Sequence, residues 1–149
     1  EFIKKGASFK DLRGLTDKDM EAIYSLGYTA YNNGKFEDAM KVFKFLSFYD
    51  HMQKKYWMGL AGCRQMLKDY AGAVQAYAYI AILDVSDPKV HLHAADCLMA
   101  LKSYKEAESA LLAAVHWAGD QSGYADVKNR ALAVLQVLKR TETEEKKNA

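Results

Sequence analysis

Apolar residues return every third or fourth position through most of this chain, broken by short polar turns. That period predicts helices rather than strands. The spacing places helices over 17–32, 36–49, 54–67, 71–83, 88–101 and 104–117, with Asn33-Gly34 turning the chain between the first two. Thr16 stands ahead of the first helix as an N-cap, and Asp19, three residues on, completes the capping-box spacing. Asp87-Pro88 opens the fifth, with Asp as cap and Pro at the first helical position, where no N–H is needed. Residues 3–13 predict a short helix broken near Gly6, with Phe9 and Leu12 as apolar contacts and Gly14 as its end. A last helix over about 124–140 carries Val127, Ala131, Val134, Leu135 and Leu138 at helical spacing. Residues 141–149 are polar with no apolar period, so a solvated, frayed tail is expected there.

Residues 20–53, 54–87 and 88–121 superimpose without a gap. Ala39, Ala73 and Ala107 coincide, as do Gly27, Ala61 and Ala95. Phe36, Tyr70 and Tyr104 fall together one turn before the alanines, and Phe43, Tyr77 and Leu111 one turn after. Small residues let two helices approach, and the neighbouring aromatics fill the space beside them. A 34-residue unit of this kind is the tetratricopeptide (TPR) signature. The expected fold is all-α: a TPR solenoid of three tandem helix-turn-helix repeats, with an N-terminal helical segment over 1–16 and a C-terminal capping helix. Residues 1–140 read as a single domain. Lys68 and Lys102 stand where the first repeat has Gly34, so their turns are the less well specified.

Composition narrows the function classes. Half of the residues are hydrophobic and the net charge is +2, too small to imply a nucleic-acid partner. No apolar run is long enough for a membrane span, and the start has no signal-peptide pattern, so neither direct membrane association nor export is expected. Cys63 and Cys97 occupy one repeat position and read as reduced packing thiols of a reducing cytoplasm. There is no Gly-rich phosphate loop, Cys-x-x-Cys or His-Glu-x-x-His. His93, Asp96 and Cys97 share a helix face but lack a fourth ligand, so no metal is expected, and no cofactor or catalytic constellation either. His51 sits in a turn, His91 takes the position held by Trp57 one repeat earlier, and His116 lies near a helix C-terminus, where a cation is favourable.

Some side chains exceed what a core requires. In the first helix of repeat 1, Ile23, Leu26, Gly27 and Ala30 already supply a packing stripe. Tyr24, Tyr28 and Tyr31 add a second at i, i+4, i+7, on the side that lines the concave channel of a TPR solenoid. Rigid amphipathic rings there suit the gripping of an extended peptide. Repeat 2 presents Met58, Gly62, Gln65 and Met66 on the equivalent surface, and repeat 3 presents Leu92, Asp96 and Met99. Phe45, Phe48 and Tyr49 leave the second helix of repeat 1 apolar nearly all round. Tyr49 is placed to close one rim of the channel. Phe45 and Phe48 are placed to meet the N-terminal helix or a second subunit. The alternative for the tyrosines is packing on that same helix or subunit. A clamp for an acidic C-terminus would need Lys, Asn and Arg along the channel, where Tyr24, Tyr28 and Gly59 stand and only Lys89 is suitable. A generic protein-interaction adaptor stays open as the other class.

The run Ile23-Tyr24-Ser25-Leu26-Gly27-Tyr28-Thr29-Ala30-Tyr31, followed by Asn33-Gly34-Lys35-Phe36-Glu37-Asp38-Ala39 and Phe48-Tyr49-Asp50-His51, resembles the class II chaperones of bacterial type III secretion. Gly6-Ala7-Ser8-Phe9, Leu60-Ala61-Gly62-Cys63-Arg64-Gln65 and His93-Ala94-Ala95-Asp96-Cys97-Leu98 extend the resemblance to about Arg140. It implies a cytoplasmic, non-enzymatic chaperone that keeps hydrophobic translocator proteins, major and minor, soluble by binding an extended segment in the concave channel. On that view Tyr24, Tyr28 and Tyr31 match the family's aromatic pocket, with Tyr49, Gly62 and Gln65 as further channel positions. Members form homodimers without client, mostly through the N-terminal region, which puts Phe2, Ile3, Phe9, Leu12, Phe45 and Phe48 at the interface. Some members also partner a transcriptional activator.

Overall fold

The structure, a computed structural model, describes residues 7–149. Its regular elements are all helical among the described residues: α1 (Phe9–Arg13), α2 (Asp17–Asn32), α3 (Phe36–Tyr49), α4 (Lys54–Met66), α5 (Tyr70–Leu83), α6 (Pro88–Ala100), α7 (Tyr104–Ala118) and α8 (Ala125–Asn148), with a 3-10 turn at Ser122–Tyr124 before α8. Thr16 accepts the amide of Asp19 at 3.1 Å while the Asp19 carboxylate accepts the amide of Thr16 at 2.9 Å. Gly14 and Gly34 take positive φ, as the sequence leads one to expect. Lys68 and Lys102 adopt the same left-handed backbone, with φ of 62° and 59°. The turn geometry therefore repeats although the glycine does not.

The chain divides into two compact units, one ending at Leu83 and the other beginning at Asp84. In the first, α2 packs on α3, α3 on α4 and α4 on α5, while α1 lies on α3. Met20, Ala39, Phe43, Leu46, Tyr56, Leu60 and Cys63 form its buried cluster. In the second unit α6 packs on α7 and α8 on both. Its cluster is Leu92, Ala95, Leu111, Ala114, Ala131 and Leu135. The aligned alanines at 39, 73 and 107 are fully buried, as are Ala61 and Ala95.

Two expectations need correction. Leu26 is not part of the core: it is 66% exposed. Its equivalent Leu60 is buried because α4 packs on α3 of the preceding repeat, and among the described residues no earlier helix pair lies against Leu26 in this way. Met20, at 1% exposure, is the large side chain that α2 buries instead. Residues 141–148 do not fray from the backbone pattern either, because α8 continues through them to Asn148. They bury nothing, and their helix is sustained by good helix formers and oppositely charged neighbours four apart, such as Glu142 and Lys146.

The third helix pair reuses a bond of the second. Trp57 Nε1–H donates to the carbonyl of His51 at 2.9 Å, and the Tyr79 hydroxyl donates to the same oxygen at 3.0 Å. One repeat later, His91 Nε2 lies 2.7 Å from the carbonyl of Val85. A carbonyl only accepts, so that bond requires the proton on Nε2. His91 thus does what Trp57 does: it ties the first helix of a repeat to the turn before it.

Candidate functional site

The three tyrosines of α2 do not form a single open stripe. Met20, Tyr24, Gly27 and Tyr31 follow i, i+4, i+7, i+11, and that face turns to the core. Tyr24 is half-buried, edge-on to Phe43 with ring centroids 5.9 Å apart, and 5.8 Å from the Tyr56 ring. Tyr31 stands edge-on to Phe36 at 5.2 Å and is the nearest neighbour of Gly62, where an added Cβ would lie 3.5 Å from its ring. Burial, with a smaller contribution from Cys63, raises the Tyr31 pKa, so this hydroxyl stays protonated. Tyr28 alone is 55% exposed, 6.2 Å from Tyr24 between ring centroids. Beside it lies a hollow of about 320 Å3 lined by Glu21, Tyr24, Ser25, Tyr28 and Thr29.

An ion pair marks the edge of this hollow. Lys55 of α4 reaches Glu21 at 2.6 Å and sits over the Tyr24 ring, 4.6 Å from its centroid. Glu21 raises the Lys55 pKa, first through the hydrogen bond. A signal was present: the two residues are 34 apart, the same place in successive repeats, with opposite charge. On α4, Met58 and Gly62 are half-buried and Met66 is 51% exposed. Gln65, expected to meet a peptide backbone, accepts the Tyr77 hydroxyl at 2.9 Å through its side-chain oxygen. Its amide orientation is thereby set from α5.

In the second unit the expected residues are already engaged. Leu92 is 5% exposed and packed in the cluster with Ala131 and Leu135 of α8. The expectation of an open Leu92 is corrected by α8, which covers it. Asp96 receives both of its carboxylate bonds from Arg130 of α8, at 2.9 and 2.8 Å.

The second aromatic surplus is grouped with α1. Phe9 stacks on Phe48 with centroids 5.0 Å apart and planes 3° from parallel. Tyr49 is half-buried, 4.5 Å from Phe45 and 5.2 Å from Phe48. Lys10 holds α1 in place by reaching Asp50, buried at the end of α3, at 3.1 Å, and Asp17 at 2.5 Å. These acids raise the Lys10 pKa, the Asp17 hydrogen bond most. Even so, Leu12, Phe48 and Phe45 stay 66%, 59% and 39% exposed. Phe2 and Ile3 lie outside the described residues.

Among the described residues no three His, Cys, Asp or Glu side chains gather as a metal site, and no helix is long and apolar enough to cross a membrane. Cys63 and Cys97 are free and buried, and burial pushes each thiol up to about 11. Such thiols are poor nucleophiles and serve as packing.

Comparison with known proteins agrees with this architecture. Tetratricopeptide repeat models match residues 20–52 and 66–141. The low calcium response locus protein H of Yersinia pestis is 35% identical over 138 residues, spanning 93% of this chain and 82% of that protein. The type III secretion translocator chaperone SycD of Yersinia enterocolitica superimposes with a TM-score of 0.80 at 32% identity, covering 88% of this chain and 98% of that one. PcrH of Pseudomonas aeruginosa, solved with the chaperone-binding region of PopD, gives 0.82 at 36% identity, covering 87% and 97%. The chain, with its TPR helix pairs and aromatic first repeat, therefore belongs to the TPR-containing class II chaperones of type III secretion.

Proposed function

We propose that this protein is a cytoplasmic chaperone of hydrophobic type III translocator proteins, and that it holds an extended client segment along the α2–α4 face of its first unit. Membership of a chaperone family, not an enzyme family, supports the general function. Two relatives support the mode: PcrH was solved with the chaperone-binding region of PopD, and SycD with a peptide of the translocator YopD. The observation that carries the site is Tyr28. It projects beside the hollow on α2 while Tyr24 and Tyr31 are braced by the core behind it. An apolar client side chain entering there would meet two ring walls without any rearrangement, and preformed walls cost little ordering entropy. Met66, Met58 and Gly62 continue the surface on α4, and Tyr49 is assigned to its rim. Holding the segment keeps a pore-forming protein from associating with itself before export. Asp96 and Leu92 are not part of this site, since α8 engages both.

Isothermal titration of the full chain with a peptide from the chaperone-binding region of its translocator tests the reading. Tyr28→Ala should weaken binding by about 1–3 kcal/mol. Unchanged affinity in a folded Tyr28→Ala protein would remove the hollow from the site. Without client, we assign homodimer formation to the exposed edge of Phe45, Phe48 and Leu12, with Phe9 behind Phe48. A transcriptional activator as a further partner rests on the resemblance alone.

A further inference from the structure

Asp96 and Arg130 are 34 residues apart, as are Glu21 and Lys55, so α8 stands in the register of a fourth first-helix. The three full repeats turn at Gly34, Lys68 and Lys102, all with positive φ. The equivalent residue in α8 is Gln136, which is helical, and α8 runs straight on to Asn148. The overshoot stands beside the start of α7 and helps enclose a hollow of about 500 Å3 within the second unit. Its floor is apolar, made by Met99 and Leu138 with Tyr104 and Val137, which are 49% and 57% exposed. Its charged lining is Glu108, Glu142 and Glu145 against the single cation Lys105.

We propose that this groove docks an amphipathic helix of a partner protein, one whose Lys or Arg side chains flank two or three apolar ones. The acidic lining supplies the complement to the cations, and the floor supplies the seat for the apolar side chains. A second copy of the groove is a poor occupant, because it would bring the same glutamates face to face. The groove also gives the last turns of α8 an assignment that packing within the chain does not. Residues 141–148 bury nothing, yet Glu142 and Glu145 form one of its walls.

The test is fluorescence anisotropy of the full chain with two labelled helical peptides of one design, one built from Leu and Lys and the other from Leu and Glu. The Leu/Lys peptide should bind at least about tenfold more tightly than its acidic counterpart. Tyr104→Ser combined with Val137→Ser should weaken it by about tenfold or more. Glu142→Lys with Glu145→Lys should shift the preference toward the Leu/Glu peptide. Tyr104 and Val137 are 49% and 57% exposed and Glu142 and Glu145 are exposed, so all the variants should fold, which circular dichroism melts check. Tyr28→Ala should leave this binding unchanged, which separates the groove from the proposed client face. Equal binding of the two peptides, binding of neither, or binding indifferent to both double variants would overturn the proposal.

Discussion

Phe43 is clamped by two glycines. A Cβ on Gly59 would fall 2.5 Å from its ring, and one on Gly27 would fall 2.9 Å from Val42 and 3.2 Å from Phe43. The ring is buried and cannot swing aside. Gly59→Ala should therefore destabilise the protein by about 1–3 kcal/mol, although alanine is the better helix former. Gly62→Ala should be neutral or slightly stabilising, because its Cβ would make only ordinary contact with Tyr31 at 3.5 Å. Thermal melts of the two variants decide this, and equal losses would refute the ring-clamp argument. Lys68 and Lys102 present the opposite case. Both hold a left-handed backbone that costs a side-chain-bearing residue about 1 kcal/mol, so Lys68→Gly and Lys102→Gly should each raise the melting temperature. A fall in either would mean that the lysine side chain contributes more than its backbone conformation costs. Much of this was hidden in the sequence. Gly27 was recognisable from its alignment with Ala61 and Ala95, whereas Gly59 aligns with Ser25 and His93 and carries no periodic mark.

At the scale of elements, the helix boundaries were largely legible, because caps and turn residues are local chemistry. Which face of a helix is open was less so. Leu26 and Leu60 share one position in the repeat, but only α4 has a preceding helix pair to lie against. The three tyrosines divide for a related reason: Met20 sets the buried face of α2, and Tyr24 and Tyr31 lie half-buried beside it while Tyr28 stays exposed. In the second unit, α8 packs on α6 and with that covers Leu92 and engages Asp96. This junction contains His93, whose pKa is lowered chiefly by burial. Asp96 and Asp87 pull it up, while Arg130 and Lys89 push it down. A histidine depressed in the folded state favours folding while neutral. Its contribution is present above the ordinary value of 6.5 and is lost as pH falls through 6.5 toward the lower folded value. The melting temperature should therefore decline on acidification through this range, and His93→Gln should flatten that decline. A slope unchanged by the substitution would place the acid sensitivity elsewhere.

For the whole molecule, the question is which apolar surface meets what. Phe45, Phe48 and Leu12 form an exposed apolar edge, and Phe9 stiffens it from one side by stacking on Phe48. Phe48→Glu should shift the client-free protein toward monomer in size-exclusion chromatography with light scattering, because a carboxylate in an apolar interface loses its hydration. Client affinity should persist in that variant, since Tyr28 lies on α2 and Phe48 on α3. An unchanged molar mass would assign the aromatic edge to another role.

The 34-residue period, the caps and the small-residue positions determined an all-helical TPR chain from the sequence alone, because each is a local or strictly repeated constraint. Its resemblance to the secretion chaperones followed from continuous runs of residues. Only the tertiary structure decided that Tyr28 is the exposed ring, that Glu21 and Lys55 meet at its hollow, and that α8 buries Leu92 and pairs Arg130 with Asp96. Exposure depends on what packs against a residue from elsewhere in the chain, and the first and last helices of a repeat array lack the neighbours that the period assumes.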